Sequence, residues 1–135
     1  MRQSQSQNIE LNRWLVACEE NNLSLVRELL SKGADVNWSD ATGWSGLHFA
    51  ARDNYEELLE LLLAQTGVDV NIRDNYNQTP LMEACFYGHE NIVRRLCQVT
   101  GIQLNSRADG GFTALLDAVY NNKTCLLYTS DAADD

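Results

Sequence analysis

The sequence predicts an all-α solenoid of stacked helix-turn-helix units linked by β-hairpin-like loops. Three observations lead there. Apolar anchors recur at Trp14, Leu47, Leu81 and Leu115, spaced 33, 34 and 34 residues apart. The links between copies recur as "GADVN", "GVDVN" and "GIQLN", ending at Asn37, Asn71 and Asn105. Each full copy holds two short amphipathic helices of two or three turns, which cannot bury a core alone. A period of this length means an array in which each unit covers its neighbour's apolar face.

The third copy, "QTPLMEACFYGHENIV", shows how one unit is built. A threonine hydroxyl accepts the unpaired N–H groups of a starting helix, and proline suits the first helical position. Thr79-Pro80, with the chain's only proline, therefore starts a helix. Leu81, Ala84 and Cys85 then share one apolar face. Gly88 ends that helix, because glycine tolerates the left-handed conformation in which helices stop. A second helix follows with Ile92, Val93, Leu96 and Cys97 as its stripe, closed by Gly101.

The other copies align on the same frame. The second places Leu47, Ala50, Ala51, Leu59, Leu62 and Leu63 at matching positions. The first places Trp14, Ala17, Cys18, Val26, Leu29, Leu30 and Gly33 there, and the fourth Thr113, Leu115, Ala118 and Val119. One extra residue, near Thr66 and Thr100, lengthens two of the linkers.

These motifs resemble the ankyrin repeat. Its pattern is Asp-x-x-Gly-x-Thr-Pro-Leu-His-x-Ala-Ala-x-x-Gly-His, then Val-x-x-Leu-Leu-x-x-Gly-Ala-x-x-Asn. "DNYNQTPLMEACFYGHENIVRRLC" follows it, with Asn77 for the turn glycine and Met82 for the histidine. Asparagine is among the residues best suited to positive φ, so the first exchange is mild. The second copy keeps Asp40, Gly43, Leu47 and His48, but has Ser45-Gly46 for Thr-Pro and Asn54-Tyr55 for Gly-His. The first reads "NRWL" at the signature, as a terminal cap does.

The expected organisation is a disordered lead over 1–9 and a repeat domain over 10–123. The domain divides into a cap (10–39), two full repeats (40–73 and 74–107) and a partial one (108–123). Beyond it, "CLLYTSDAADD" breaks the register: Ser130 and Asp131 fall where leucines belong. The string resembles a translated sequencing-library adapter, so 124–135 is set aside as a non-native tail, against the alternative of a divergent cap.

Composition narrows the function classes. The formal charge is −9, with Asp131, Asp134 and Asp135 in the tail. No basic run suited to phosphates occurs, which argues against nucleic acid as the ligand. No apolar stretch reaches the length of a membrane span. "MRQSQSQN" lacks the apolar core of a secretory signal. The expectation is a soluble monomer inside the cell, cytoplasmic or nuclear. Cys18, Cys85 and Cys97 occupy small or apolar core slots, which suits free thiols in a reducing compartment.

Chemistry is hard to find. Cys85 and His89 are four apart, as a metal pair is, but the repeat accounts for both as core and turn. Motifs for phosphate loops, nucleophile elbows and zinc helices are missing from the sequence. "EELLELLL" has the look of a membrane-surface helix, yet its place in the repeat makes it an outer helix with solvated glutamates. No enzyme activity, cofactor or metal is expected of these residues.

The resemblance implies a binding module, with ligands held on hairpin tips and the exposed faces of the inner helices. It also implies a structural histidine at His48, and asparagines that match sites of hydroxylation at Asn37, Asn71 and Asn105. Carried over residue by residue, the partner-binding positions include Trp44, Arg52, Asp53, Tyr76, Gln78, Phe86, Tyr87, Phe112 and Tyr120, with Trp38 beside the first hairpin. The cap adds Glu19 and Glu20, and the hairpins Ala41, Thr42 and Asn75.

Seven of these are aromatic, the type that anchors interfaces. The competing reading is that some rings pack between hairpins, Trp44 first because Gly46 leaves room beside it. Acidic Glu19, Glu20 and Asp53 favour a partner segment with positive charge. Two functions stay open: an adaptor that holds a partner protein, or the recruiting arm of a larger enzyme such as a ubiquitin-ligase subunit, kinase or acyltransferase. The partial repeat leaves Leu115, Leu116 and Val119 poorly covered, so Thr113 to Tyr120 should exchange amide hydrogens faster than Leu81 to Leu96, as hydrogen-exchange mass spectrometry would measure.

Overall fold

The computed structural model describes residues 13–104 and 107–109. Three helix pairs follow one another. They are α1 (13–19) with α2 (Leu23–Ser31), α3 (Gly46–Asp53) with α4 (Glu56–Leu63), and α5 (Pro80–Tyr87) with α6 (Glu90–Cys97). The inner helix α3 packs on α5 and the outer helix α4 on α6, so the pairs stack in sequence order. The expected lead, the helix from Thr113 to Tyr120 and the tail lie outside the described residues.

The anchors form the core. Trp14, Leu47 and Leu81 are buried, together with Ala17, Cys18, Ala50, Ala51, Ala84 and Cys85 on the inner helices. Val26 and Leu29, Leu59 and Leu62, and Ile92, Val93 and Leu96 face them from the outer helices. Small residues on the inner layer let neighbouring backbones approach. At Gly46 a Cβ would sit 3.0 Å from the Cys18 sulfur and 3.2 Å from Leu62, so this glycine serves the contact between α3 and the first pair. It does not open space beside Trp44, as the sequence reading supposed.

Local sequence sets each helix end. The Thr79 hydroxyl accepts from the Met82 N–H at 3.3 Å, and Pro80 opens α5. Gly88 stops it at φ +73, and Asn21 and Asn54 do the same work at φ +56 and +61. The expected close of α6 at Gly101 is displaced. The helix ends at Cys97, capped by Gln98, and Gly101 turns the chain beyond it at φ +88, as Gly33 and Gly67 do at +91 and +82. The extra residue near Thr66 and Thr100 accounts for this, because it enters between the helix and the glycine turn. Cys97 and its counterparts Leu30 and Leu63 sit at the margin of the stripe and are half-buried.

The links are hairpins tied at the base. Asp40 N–H donates to the Trp44 carbonyl and Asp74 N–H to that of Gln78, at 2.9 and 3.0 Å. The aspartate carboxylates fold back to accept from Thr42 and Trp44 in one hairpin, and from Tyr76 and Gln78 in the next. Gly43 and Asn77 supply positive φ, +86 and +62, at the equivalent turn positions. The hairpins also join edge to edge: Asn75 N–H donates to the Thr42 carbonyl at 2.9 Å and Asp109 N–H to that of Tyr76 at 2.8 Å.

Gly43 faces two constraints where Gly67 faces one. A Cβ at Gly43 would lie 2.7 Å from backbone atoms of Asp74 and Asn75, whereas one at Gly67 meets nothing within 4 Å. Both have positive φ, which costs an L-residue about 1–2 kcal/mol. Overpacking against a backbone adds roughly 1–3 kcal/mol. Urea denaturation should find Gly43→Ala less stable than Gly67→Ala by about that second amount.

Candidate functional site

Two kinds of surface residue emerge once the stack is built: those bonded to the next repeat and those facing solvent. The first kind begins at the linker asparagines. The Asn37 amide donates to the Gly67 carbonyl at 2.8 Å and its oxygen accepts from Asp69 N–H at 2.7 Å. Asn71 repeats this 34 residues on, with Gly101 at 2.9 Å and Gln103 at 2.8 Å. Asn105 lies outside the described residues.

The histidines act across the same boundary. His48 Nε2 donates to the Gln78 carbonyl at 2.9 Å, while Nδ1 accepts from the Ser45 N–H at 3.1 Å. That pairing fixes a neutral ring with its proton on Nε2. Burial lowers the His48 pKa, against the opposing pull of the Gln78 carbonyl and of Asp74 and Asp40. His89 Nε2 donates to the Arg52 carbonyl at 2.6 Å. In the preceding repeat the Tyr55 hydroxyl takes this role, donating to the Glu19 carbonyl at 3.1 Å. Tyrosine at the histidine slot thus keeps the bond by another donor.

Around α3 the side chains close on themselves. Trp44 is half-buried and its Nε1 donates to Asp74 at 3.1 Å. Its ring meets Phe49 edge-on at 5.3 Å, and the Arg52 guanidinium stands over both rings at 5.2 and 5.3 Å. Arg52 is also bidentate to Asp53, through Nε at 2.9 Å and a terminal nitrogen at 2.7 Å. This bond to Asp53 leads in raising the Arg52 pKa, above the field of Glu19 and Tyr87. Arg52 and Asp53, two expected contact residues, are each other's partner.

The remaining expected positions divide. Trp38 is half-buried against the core, and Gln78 contributes its backbone to both the hairpin and His48. Tyr76, Phe86 and Tyr87 face solvent, at 64%, 44% and 48% exposure. Phe86 and Tyr87 stand edge-to-face with ring centroids 5.0 Å apart, and Tyr87 stacks on His89 at 6.3 Å. Phe112 and Tyr120 lie outside the described residues. Phe49 was missed by the sequence reading, although its i, i+3 spacing to Arg52 places both on one helix face. Among the described residues no group of three or more His, Cys, Asp or Glu side chains converges as a metal site does. Cys85 is buried, and burial pushes the Cys18 thiol up to about 12, far from a reactive thiolate. No helix among the described residues is long and apolar enough to cross a membrane.

Fold and surface together define a repeat scaffold, built from side chains that bind the neighbouring unit. The chain belongs to the ankyrin-repeat family: the model "Ankyrin repeats (3 copies)" matches residues 14–108 and, in an overlapping placement, 47–132. Ankyrin repeats are in general non-catalytic modules for protein–protein interaction. The human "Ankyrin repeat and SOCS box protein 3" is 40% identical over 48 residues, 36% of this chain and 9% of that protein. The mouse "Protein phosphatase 1 regulatory subunit 27" is 40% identical over 43 residues, 32% of this chain and 28% of that protein. The chain thus matches less than a third of either relative's length.

The buried histidine sets a pH dependence. Its folded pKa lies below the unfolded value of 6.5, so folding favours the neutral ring. The stability this contributes is complete above pH 6.5 and is lost as pH falls through the folded pKa. Asp40 also has a lowered pKa: burial raises it, but the Thr42 hydroxyl and the Trp44 and Thr42 N–H groups outweigh that, and its own loss begins below 3.8. The urea midpoint should therefore begin to drop as pH falls below 6.5, before the carboxylate window. Ring resonances of His48 should titrate below 6.5 by NMR.

Proposed function

We propose that this chain is an interaction scaffold or adaptor that holds a partner protein across its hairpin tips and the C-terminal ends of its inner helices. The carrying observation is the exposed aromatic group of the third repeat, Tyr76, Phe86 and Tyr87, on a surface whose hairpin backbones are already bonded to one another. Aromatic rings held on rigid elements lose little entropy when covered and dominate interface energetics. The partner segment carries positive charge towards Glu19 and Glu20. The protein works as a monomer inside the cell, where Cys18, Cys85 and Cys97 stay reduced.

A second reading, the recruiting arm of an enzyme, draws on the mouse relative, whose name makes it a regulatory subunit of a phosphatase. Both readings use this surface, and the identity of the partner separates them. A photo-crosslinking residue placed at Tyr76 or Tyr87 should trap the same protein, while one at exposed Arg27 on the outer layer should not. Phe86→Ala with Tyr87→Ala should weaken capture at least tenfold and leave the urea midpoint nearly unchanged. Equal trapping at Arg27 would remove the proposal, and a trapped enzyme would select the second reading.

A further inference from the structure

The C-terminal ends of α1, α3 and α5 form one row, and its two ends differ in chemistry. At the α1 end stand Glu19 and Glu20, both exposed. Among the described residues neither forms an ion pair. A helix C-terminus carries partial negative charge, so two carboxylates there favour a further cation. By contrast, Glu28 in α2 pairs with Lys32, and Glu60 in α4 with Arg95. At the middle of the row, Arg52 and Asp53 neutralise each other. Arg52 also stands over the rings of Trp44 and Phe49, and its charge reaches Glu19 as a field without an ion pair between them. At the α5 end stand the exposed rings of Phe86 and Tyr87.

We infer that this row measures an extended peptide segment with Lys or Arg at one end and a bulky apolar side chain five or six residues away. The inference rests on the scaffold reading above and specifies the partner of that same surface. Packed helices lie about 8–10 Å apart, so two steps from α1 to α5 span roughly 16–20 Å. An extended chain rises about 3.3 Å per residue, which places the two groups roughly five or six residues apart. The basic group answers the carboxylates at α1, and the apolar group covers the rings at α5. The neutral Arg52–Asp53 plate between them admits uncharged residues, since a charge set there would meet one already paired.

Selection from a displayed library of random 12-residue peptides on the full chain tests this. Recovered sequences should share a Lys or Arg and a large apolar or aromatic residue at that separation. On Glu19→Gln with Glu20→Gln, the basic preference should vanish while the apolar one persists, and affinity for selected peptides should fall at least tenfold at low salt. On Phe86→Ala with Tyr87→Ala, the apolar preference should vanish instead. Peptides that need the rings but ignore the carboxylates, or that show no fixed separation, would overturn this inference and leave the scaffold reading standing. Selection unaffected by either pair of substitutions would overturn both.

Discussion

Each repeat completes its backbone with a side chain from its neighbour, and the rest of the structure depends on that exchange. A linker with no regular strand has N–H and C=O groups that must find partners. The Asn37 carboxamide supplies a donor and an acceptor at once to the loop of the next repeat, and Asn71 does the same one period later. Asparagine suits the place because its amide presents both functions in one plane. His48, His89 and Tyr55 extend the principle from the linker to the helices, each donating to a carbonyl in the adjacent unit. Helices of eight or nine residues persist because these bonds and the shared core hold them, not because of their own propensity.

This explains which parts were legible from the residues alone. The period, the inner and outer helices, the Thr79-Pro80 start and the Gly88 stop follow from local chemistry and apolar spacing, which act over a few residues. The exchange of Tyr55 for histidine was read as a departure, because what matters is a donor aimed at Glu19, a contact 36 residues distant. Gly46 was misread for the same reason: its neighbours, Cys18 and Leu62, come from two other helices. Exposure of individual rings was equally out of reach. Trp44 and Tyr76 look alike as aromatic residues of hairpins, yet one is fixed by Asp74 and the other faces water.

The same four positions, compared between repeats, separate what the fold needs from what it leaves free. Trp44, Phe49, Arg52 and Asp53 in the second repeat correspond to Gln78, Glu83, Phe86 and Tyr87 in the third. In the second they close into a cluster of two rings, a guanidinium and a carboxylate. In the third the last two stand open. The helices that carry them, α3 and α5, have the same length and the same left-handed stop. Side chains here change from charged and closed to aromatic and open without a change in backbone.

Such freedom is what a scaffold requires and what a catalyst lacks. A catalytic group must be held by neighbours that also orient it, so its supporting residues cannot vary independently. Among the described residues, two reactive types are instead engaged in stacking: His48 is neutral, buried and bonded at both ring nitrogens, and the Cys18 thiol is deeply buried. Those groups are taken up by the architecture, while the ends of the inner helices leave the rings of Phe86 and Tyr87 and the carboxylates of Glu19 and Glu20 exposed. On the scaffold reading proposed above, recognition falls to them, and the row they form along the stack would give it a length and a direction.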